Sequence, residues 1–147
     1  MATRGFTLIE LLIAIAVAGV LILIGAQAFD GLQTRFQVRE GRNIFAAMHS
    51  TTRALAIESG QNVMLHFHGP GDSIWITRND TTLDKIALED ETGVDLYASG
   101  SPHTLCMNSR GYAQASCTSF DVPVRVIFTA GRDTARVRVL PLGQLIY

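Results

Sequence analysis

Few side chains in this sequence are spaced for catalysis. His66 and His68 alternate along a segment predicted to be extended, so they share a face and could bind a metal together. Alternating histidines more often form a solvated strand face, and we favour that interpretation. No carboxylate pair, Ser/His/Asp set or glycine-rich phosphate loop has a convincing spacing. The sequence therefore predicts neither an enzyme nor a cofactor.

Acidic side chains offer a second candidate metal site. Asp90, Glu91 and Asp95 could collect a calcium ion, which needs about six to eight oxygen ligands. This run lacks a recognisable calcium-loop pattern, so we interpret it as a solvated turn. No metal is predicted.

More specific chemistry is predicted at the start of the chain. Residues 11–26 include no charged or strongly polar side chain, and the apolar run from Phe6 to Ala28 is long enough for a membrane-spanning helix. Glu10 lies within the first turns of this run. A carboxylate at the bilayer centre costs on the order of 2.5–3.5 kcal/mol, and less near an interface.

A charge in that position calls for a cationic partner. Cleavage after Gly5 would create one, the new α-amine of Phe6, and a neighbouring copy could bring that amine to Glu10. The alternative is that Glu10 is an interfacial residue tolerated in a simple membrane anchor.

The segment Gly5-Phe6-Thr7-Leu8-Ile9-Glu10-Leu11-Leu12 resembles the class III signal of type IV pilins and type II secretion pseudopilins. The resemblance implies that residues 1–5 are a leader peptide, which a prepilin peptidase removes, and that Phe6 is then N-methylated. It also implies that residues 6–28 form a transmembrane and filament-core helix. In the filament, Glu10 would neutralise the N-terminus of a neighbouring subunit.

The helix is predicted to continue as an amphipathic extension over residues 29–60. Apolar side chains recur there at spacings of mostly three and four residues, with charged residues between them. The apolar stripe comprises Phe29, Leu32, Phe36, Phe45, Met48, Thr52 and Leu55. Arg35, Arg39 and Arg42 are assigned to the water-facing side, and Gly60 is the expected stop.

Residues 61–147 are predicted to form a β-rich globular domain, so that the whole chain is α+β. Period-two alternation between turn residues predicts mostly antiparallel strands at residues 62–68, 73–78, 83–88, 94–97, 122–129 and 135–140, and Gly143 precedes a last short piece at residues 144–147. Residues 128–132 and 142–146 resemble the C-terminal region of the GspH/FimT group of minor pseudopilins and minor pilins. That resemblance implies two small sheets, arranged like a β-sandwich, packed on the helix.

Cys106 and Cys117 are expected to form a disulfide if this domain lies beyond the inner membrane, because the periplasm is oxidising. Closing so short a loop adds roughly 2–3 kcal/mol of stability. Free buried thiols are the second possibility. A zinc site that included His103 is the third, since it would lack a fourth ligand.

The net charge of −1 predicts no polyanionic or polycationic partner for the chain as a whole. The charges are nevertheless unevenly distributed, with acids concentrated in residues 72–95 and arginines in residues 110–138. This asymmetry could orient the domain against neighbouring subunits, although a solvated surface is the more frequent explanation.

A nucleic-acid surface is the second functional hypothesis. Arg136 and Arg138 share a strand face, Arg125 is expected on the paired strand, and Arg132 at the turn between them. We expect DNA binding to be weak or secondary, because Phe128 is the aromatic side chain of this segment and its alternation with Val124 and Val126 assigns it to the core, where it cannot stack on bases. The Gly-Arg-x-Arg pattern associated with DNA-binding FimT proteins is also not met, since Thr134 stands at its second arginine.

These observations predict a minor (pseudo)pilin, assembled through its N-terminal helix into a type II secretion pseudopilus and contributing to filament initiation or the tip, and so to protein secretion. The alternative is a minor type IV pilin of the FimT/FimU kind, involved in pilus assembly or DNA uptake. Expected partners are other (pseudo)pilin subunits, the prepilin peptidase and inner-membrane lipid, with nucleic acid least favoured. A single pass through the bacterial inner membrane would leave the globular domain in the periplasm.

Overall fold

The computed structural model describes residues 7–67, 72–100 and 102–147, without the side chains of residues 24–30. The described part has the order α1 (Leu8–Ser59), β1 (Val63–Phe67), β2 (Ser73–Arg78), β3 (Thr81–Ala87), α2 (Leu88–Thr92), β4 (Asp95–Ala98), β5 (His103–Met107), β6 (Val124–Ala130), β7 (Asp133–Val139) and β8 (Leu145–Ile146). The predicted α+β class is confirmed.

Helix α1 is 52 residues long and passes through two compact units of the chain, Met1–Gln33 and Thr34–Tyr147. It ends at Ser59, and the next residue, Gly60, has a positive φ of 65° that glycine adopts without steric cost. The predicted stop is therefore observed. By the length and hydropathy that crossing a bilayer requires, no helix among the described residues qualifies as a membrane span.

The second unit contains two four-stranded antiparallel sheets. Sheet A has the order β3-β2-β1-β5, and sheet B the order β4-β6-β7-β8. Burial alternates along β1 and along β6, as the period-two pattern of the sequence predicted. The two small sheets implied by the resemblance are thus present.

Phe45 of α1 joins the two sheets in one hydrophobic core. Its ring meets Phe67 of sheet A at a centroid distance of 5.3 Å and Phe128 of sheet B at 5.8 Å, both edge-on. All three side chains are fully buried. One turn earlier, a Cβ added at Gly41 would lie 3.1 Å from Val94, so the helix approaches sheet B closely there.

The structure differs from the predicted elements in two places. Strand β5 was not predicted, because its sequence does not alternate between polar and apolar residues. In the structure its consecutive residues 105–107 are all buried. It becomes a strand by pairing with β1. The acidic segment predicted as a turn is the short helix α2, which begins at Leu88, assigned in the sequence analysis to a strand. Leu88 anchors this helix in the core, and Gly93, at a φ of 66°, ends it.

Candidate functional site

Gly5 and Phe6, the predicted cleavage and methylation positions, lie outside the described residues. Glu10 is exposed in the first turn of α1. Its backbone N–H donates to the hydroxyl of Thr7 at 3.3 Å, and that hydroxyl donates to Glu10 Oε2 at 3.5 Å. Thr7 is therefore the N-cap of the helix, a role that the sequence analysis missed although the Thr-x-x-Glu spacing signals it.

The first unit presents a large apolar surface. Every large apolar side chain from Leu8 to Leu23 is at least half exposed. The most exposed of them, Leu8, has 78% of its surface accessible. Apolar surface of this extent on a described helix marks an interaction site for protein or lipid.

The structure joins Cys106 and Cys117 in a disulfide, with a Cα–Cα distance of 5.6 Å. Cys106 lies on β5, at the edge of sheet A. The loop that follows runs along this edge, where Gln114 donates to the Cys106 carbonyl at 2.8 Å and Ser119 to the Thr104 carbonyl at 2.9 Å. The loop satisfies backbone groups that an edge strand would otherwise expose.

His66 serves a structural role. Its ring nitrogens lie 2.9 Å and 2.8 Å from the hydroxyls of Thr104 and Thr77, and its ring stacks on Trp75. Burial lowers the pKa of His66 below its ordinary value. The predicted partner in a metal pair, His68, is outside the described residues, and no described group of three His, Cys, Asp or Glu side chains is arranged to hold a metal.

The three residues considered for calcium belong to two different elements. Glu91 and Asp90 are exposed on α2, whereas Asp95 begins β4 beyond Gly93. The interpretation of this run as a solvated turn is wrong in its local structure, because the acids occupy a helix, but correct in that these acids are exposed.

His49 is a buried polar residue that sequence reasoning missed. Only 6% of its surface is accessible, and its Nε2 lies 2.9 Å from the carbonyl oxygen of Gly143, in the turn between β7 and β8. Burial is the main effect that lowers the pKa of His49; the hydrogen bond to Gly143 opposes it, and the positive charge of Arg53 adds to it. A histidine in the sequence of a helix carries no signal for a partner so far along the chain.

The structure brings together three of the four arginines considered for DNA binding. Arg125 pairs directly with Arg138 across β6 and β7, and Arg136 lies two positions along the same face. These three line a shallow hollow of about 270 Å³ together with Tyr147. Arg132 is exposed at the tip of the hairpin.

Two exposed aromatic side chains from outside the arginine-bearing segment lie on the same side of sheet B as these arginines. Tyr147, 70% exposed, belongs to the arginine hollow. Tyr97 is 59% exposed on β4, opposite Ile127 of β6. Both lie outside the β6–β7 segment that carries the arginines, so only the fold brings them to this face.

A second basic surface was not predicted. We call it the basic cleft: an opening of about 740 Å³ between α1 and the start of β7, lined by Arg35, Arg39, Arg42 and Arg136 together with Asp133. The carboxylate of Asp133 lies 3.6 Å from Arg35 Nε. Four guanidinium groups against this one carboxylate leave the cleft strongly positive.

Arg42 is the least satisfied member of the basic cleft. Its Nε is buried and has no hydrogen-bond partner among the described residues. Its guanidinium carbon lies 5.5 Å from the centroid of the Tyr147 ring, a cation–π contact. A buried donor without a partner costs about 1–3 kcal/mol, so an anionic acceptor entering the cleft would be favoured.

Comparisons with known proteins agree with the motif and the fold. Residues 1–26 match the family described as "Prokaryotic N-terminal methylation motif". The fold is similar to the type IV minor pilin FimU of Pseudomonas aeruginosa strain PAO1, at a TM-score of 0.56 and 10% identity over 76% of this chain and 88% of that one. It is also similar to the minor pseudopilin EpsH from the type 2 secretion system of Vibrio cholerae, at a TM-score of 0.53 and 17% identity over 75% of this chain and 94% of that one.

A search of curated protein sequences finds no match. At these identities the structural likeness shows the fold, and the N-terminal match shows the motif. The chain thus combines a prepilin-type N-terminus with the pilin-like fold of minor pilins and minor pseudopilins, in agreement with the resemblance to the GspH group.

Proposed function

We propose that this chain is a minor (pseudo)pilin subunit that assembles through its N-terminal helix into a type II secretion pseudopilus. The observation that carries the proposal is the combination of the methylation motif at residues 1–26 with a pilin-like fold whose helix exposes its apolar side chains. A subunit used in small numbers would initiate or cap a short filament and thereby contribute to protein secretion.

In this proposal the prepilin peptidase cleaves after Gly5 and Phe6 becomes the methylated N-terminus. Residues 6–28 anchor the subunit in the inner membrane and later pack in the filament core. The carboxylate of Glu10, exposed on α1, then pairs with the α-amine of a neighbouring subunit. Pairing offsets the cost of holding each charge in an apolar environment.

The periplasm is the proposed location of the globular domain. The disulfide between Cys106 and Cys117 supports this location, because such bonds persist in oxidising compartments. The chemistry proposed for the subunit is association, and no catalytic role is assigned to it.

The mass of the mature protein tests this function. Full-length protein is expressed with a prepilin peptidase, extracted from membranes, and measured intact. We expect a chain that begins at Phe6 and carries one methyl group. A mature chain that retains Met1 would refute the pilin function, and the matched control Gly5→Leu, which removes the glycine of the cleavage site, should stay uncleaved.

A second candidate function, as a minor type IV pilin for pilus assembly or DNA uptake, is supported by one specific observation. Arg125, Arg136 and Arg138 share an exposed face with Tyr147 beside them. Guanidinium groups contact phosphates, and an exposed ring offers a base-stacking platform. The adjacent acid Asp133 and the threonine at position 134 count against it.

A further inference from the structure

The basic cleft lies along the edge of strand β7 rather than on one face of sheet B. Its strand wall consists of the consecutive residues 133–136, whose side chains point alternately to the two faces of the sheet. A cavity that touches side chains of both faces borders the edge between them. The opposite wall is helix α1, and Thr34 and Arg35 of that helix contact Asp133 at the start of the strand.

The backbone of this edge is free to pair with another strand. Leu140 donates to the carbonyl of Gln144 at 2.9 Å, which identifies the residues of β7 whose backbone groups face β8. In an antiparallel pair these residues recur at every second position, so the N–H and C=O groups of Arg138, Arg136 and Thr134 point to this same edge. The register of β8 on β7 reaches no further than Arg138. No described strand pairs with Arg136 or Thr134 there, and both residues are exposed.

The helix wall of the cleft carries a row of arginines. Arg35, Arg39 and Arg42 are separated by four and three positions, so they share one face of α1, about 6 Å and 4.5 Å apart along its axis. Acidic side chains at alternate positions of an extended segment lie on one face, about 7 Å apart. Flexible arginine side chains bridge this small difference, and guanidinium groups bind carboxylates in bidentate geometry.

The cleft also lacks acceptors for its own donors. Asp133 is the acid of its lining, and Thr34 and Arg35 both contact it. The buried Nε of Arg42 has no hydrogen-bond partner among the described residues. The ligand that fits this site therefore combines an extended backbone, for the edge of β7, with carboxylates for the arginines.

The described part of this chain does not contain such a ligand. None of the strands β1 to β8 carries more than one acidic side chain. The ligand is thus expected from another polypeptide. A subunit used in small numbers has mostly subunits of other sequences as its neighbours.

We propose that the basic cleft binds an acidic, extended segment of a different subunit, which adds to the edge of β7 as a strand in line with β8. Main-chain hydrogen bonds at Thr134 and Arg136 would hold the segment, and the arginines would select its acidic side chains. One copy binds one partner in this way, as an initiating or capping subunit requires. The inference rests on the proposed function for the identity of the partner as a subunit.

Peptide binding to the full-length protein in detergent tests the site. The probe is a fluorescent peptide of alternating glutamate and threonine, about six residues long, which is a common strand length. Fluorescence anisotropy should show saturable binding that weakens at high salt. A peptide of alternating lysine and threonine should bind several-fold more weakly. So should an N-methylated form of the acidic peptide, which keeps the carboxylates but loses the backbone donors.

Two variants of the protein locate the binding. Thr134→Pro removes the N–H that points to the free edge and leaves the hydrogen bonds to β6 in place, so it should weaken binding several-fold. Thr134→Ser is its matched control and should bind normally. Arg39→Gln with Arg136→Gln should also weaken binding several-fold, whereas Arg110→Gln, at an exposed arginine outside the cleft, should not. The thermal midpoint of each variant reports whether it folds.

Four results would overturn the proposal. The first is an absence of saturable binding. The second is equal binding of the N-methylated and unmodified peptides, which would show attraction by charge alone. The third is displacement of the peptide by duplex DNA together with normal peptide binding by Thr134→Pro, which would assign the cleft to nucleic acid. The fourth is self-association of the protein that Arg39→Gln with Arg136→Gln abolishes, which would make a second copy the occupant.

The failure of this inference is distinguishable from the failure of the proposed function. If the mature chain begins at Phe6 and co-purifies with other pilin subunits but does not bind the acidic peptide, the proposed function stands and this inference alone is wrong. If the peptide binds as expected but the mature chain retains Met1, the cleft is a binding site for acidic segments and the proposed filament setting is wrong.

Discussion

Glu10 has two separable roles at the residue scale. In the described structure it belongs to the capped first turn of α1, where Thr7 contacts both its N–H and its carboxylate. An acid in a first turn is also stabilised by the helix dipole, by about 0.3–1 kcal/mol. In the proposed filament its charge meets a neighbour's α-amine. Glutamine retains hydrogen-bonding capacity but not the charge.

Glu10→Gln and Glu10→Leu should therefore both insert in membranes at least as well as the native chain, because a costly charge is removed. Both should co-purify poorly with other pilin subunits, since the neighbour's amine loses its counter-charge. Thr7→Ala is the matched control: it weakens the cap by about 0.5–2 kcal/mol but keeps the carboxylate, so co-purification should persist. If Glu10→Gln co-purified with other pilin subunits at the yield of the native chain, the charge of Glu10 would not be required for assembly.

We expect His49 to make the globular unit sensitive to acid. Burial lowers its pKa below the ordinary value of 6.5, so the neutral ring that hydrogen-bonds Gly143 is the native form. Between the lowered native pKa and 6.5, the unfolded chain binds more protons than the folded one. Stability is thus fully present above that range and falls as the pH drops through it.

The thermal midpoint of the full-length protein should decrease when the pH falls from about 7.5 to about 5.5. His49→Gln should make this decrease smaller, because glutamine can donate to Gly143 and does not titrate. Part of the decrease should remain, since burial also lowers the pKa of His66. An unchanged pH dependence in His49→Gln would exclude His49 as a source of the acid sensitivity.

At the scale of elements, the disulfide loop connects parts of the globular unit that are distant in sequence. Its residues pair with the edge of β5, and Ala113 donates to the carbonyl of Leu142 in the β7–β8 turn at 3.2 Å. A Cβ at Gly111 would lie 2.9 Å from Arg53 and from Ile57, so the loop also packs tightly on α1. The bond therefore constrains an irregular segment at the junction of three elements.

Replacing both Cys106 and Cys117 by alanine should lower the free energy of unfolding by about 2–3 kcal/mol, as expected for a loop of this length. Denaturant unfolding of the full-length protein measures this. Non-reducing peptide mapping of the native protein should recover the two cysteine peptides linked. Met64→Leu, beside Cys106 across β1 and β5, keeps a similar volume and is the control for local repacking. Recovery of both cysteines as free thiols would show that this disulfide does not form in the native protein.

At the scale of the whole molecule, the small net charge results from basic and acidic side chains that are unevenly distributed over the surface. The chain as a whole carries −1, yet arginines from α1, β6 and β7 gather in the basic cleft and the neighbouring arginine hollow. Arg136 belongs to both. A surface of this kind will attract any polyanion at low salt, so salt dependence must accompany any measured affinity.

Duplex DNA should bind the full-length protein only weakly at near-physiological salt, and Arg136→Ala with Arg138→Ala should weaken it further and flatten its salt dependence. Fluorescence anisotropy with labelled duplex measures both effects. Arg110→Ala, which removes an exposed arginine elsewhere, should leave binding nearly unchanged. Submicromolar binding that the double variant abolishes would instead favour DNA uptake over secretion.

Local patterns in the sequence determined much of the fold. Helical periodicity and Gly60 placed the end of α1, and alternation placed β1, β2 and the β6–β7 hairpin, because these signals arise between residues a few positions apart. The N-terminal motif was equally readable, since glycine, phenylalanine, acid and apolar run stand in a fixed register. That motif carries most of the functional proposal.

Tertiary structure decided the rest, for the reason that long-range contacts leave no periodic trace in one sequence. Strand β5 has no alternation of its own and exists because β1 pairs with it. His49 finds Gly143 across a separation of 94 residues. The basic cleft likewise forms only when arginines on a helical face predicted to be solvated meet Arg136 on a strand, and packing alone brings those two elements together.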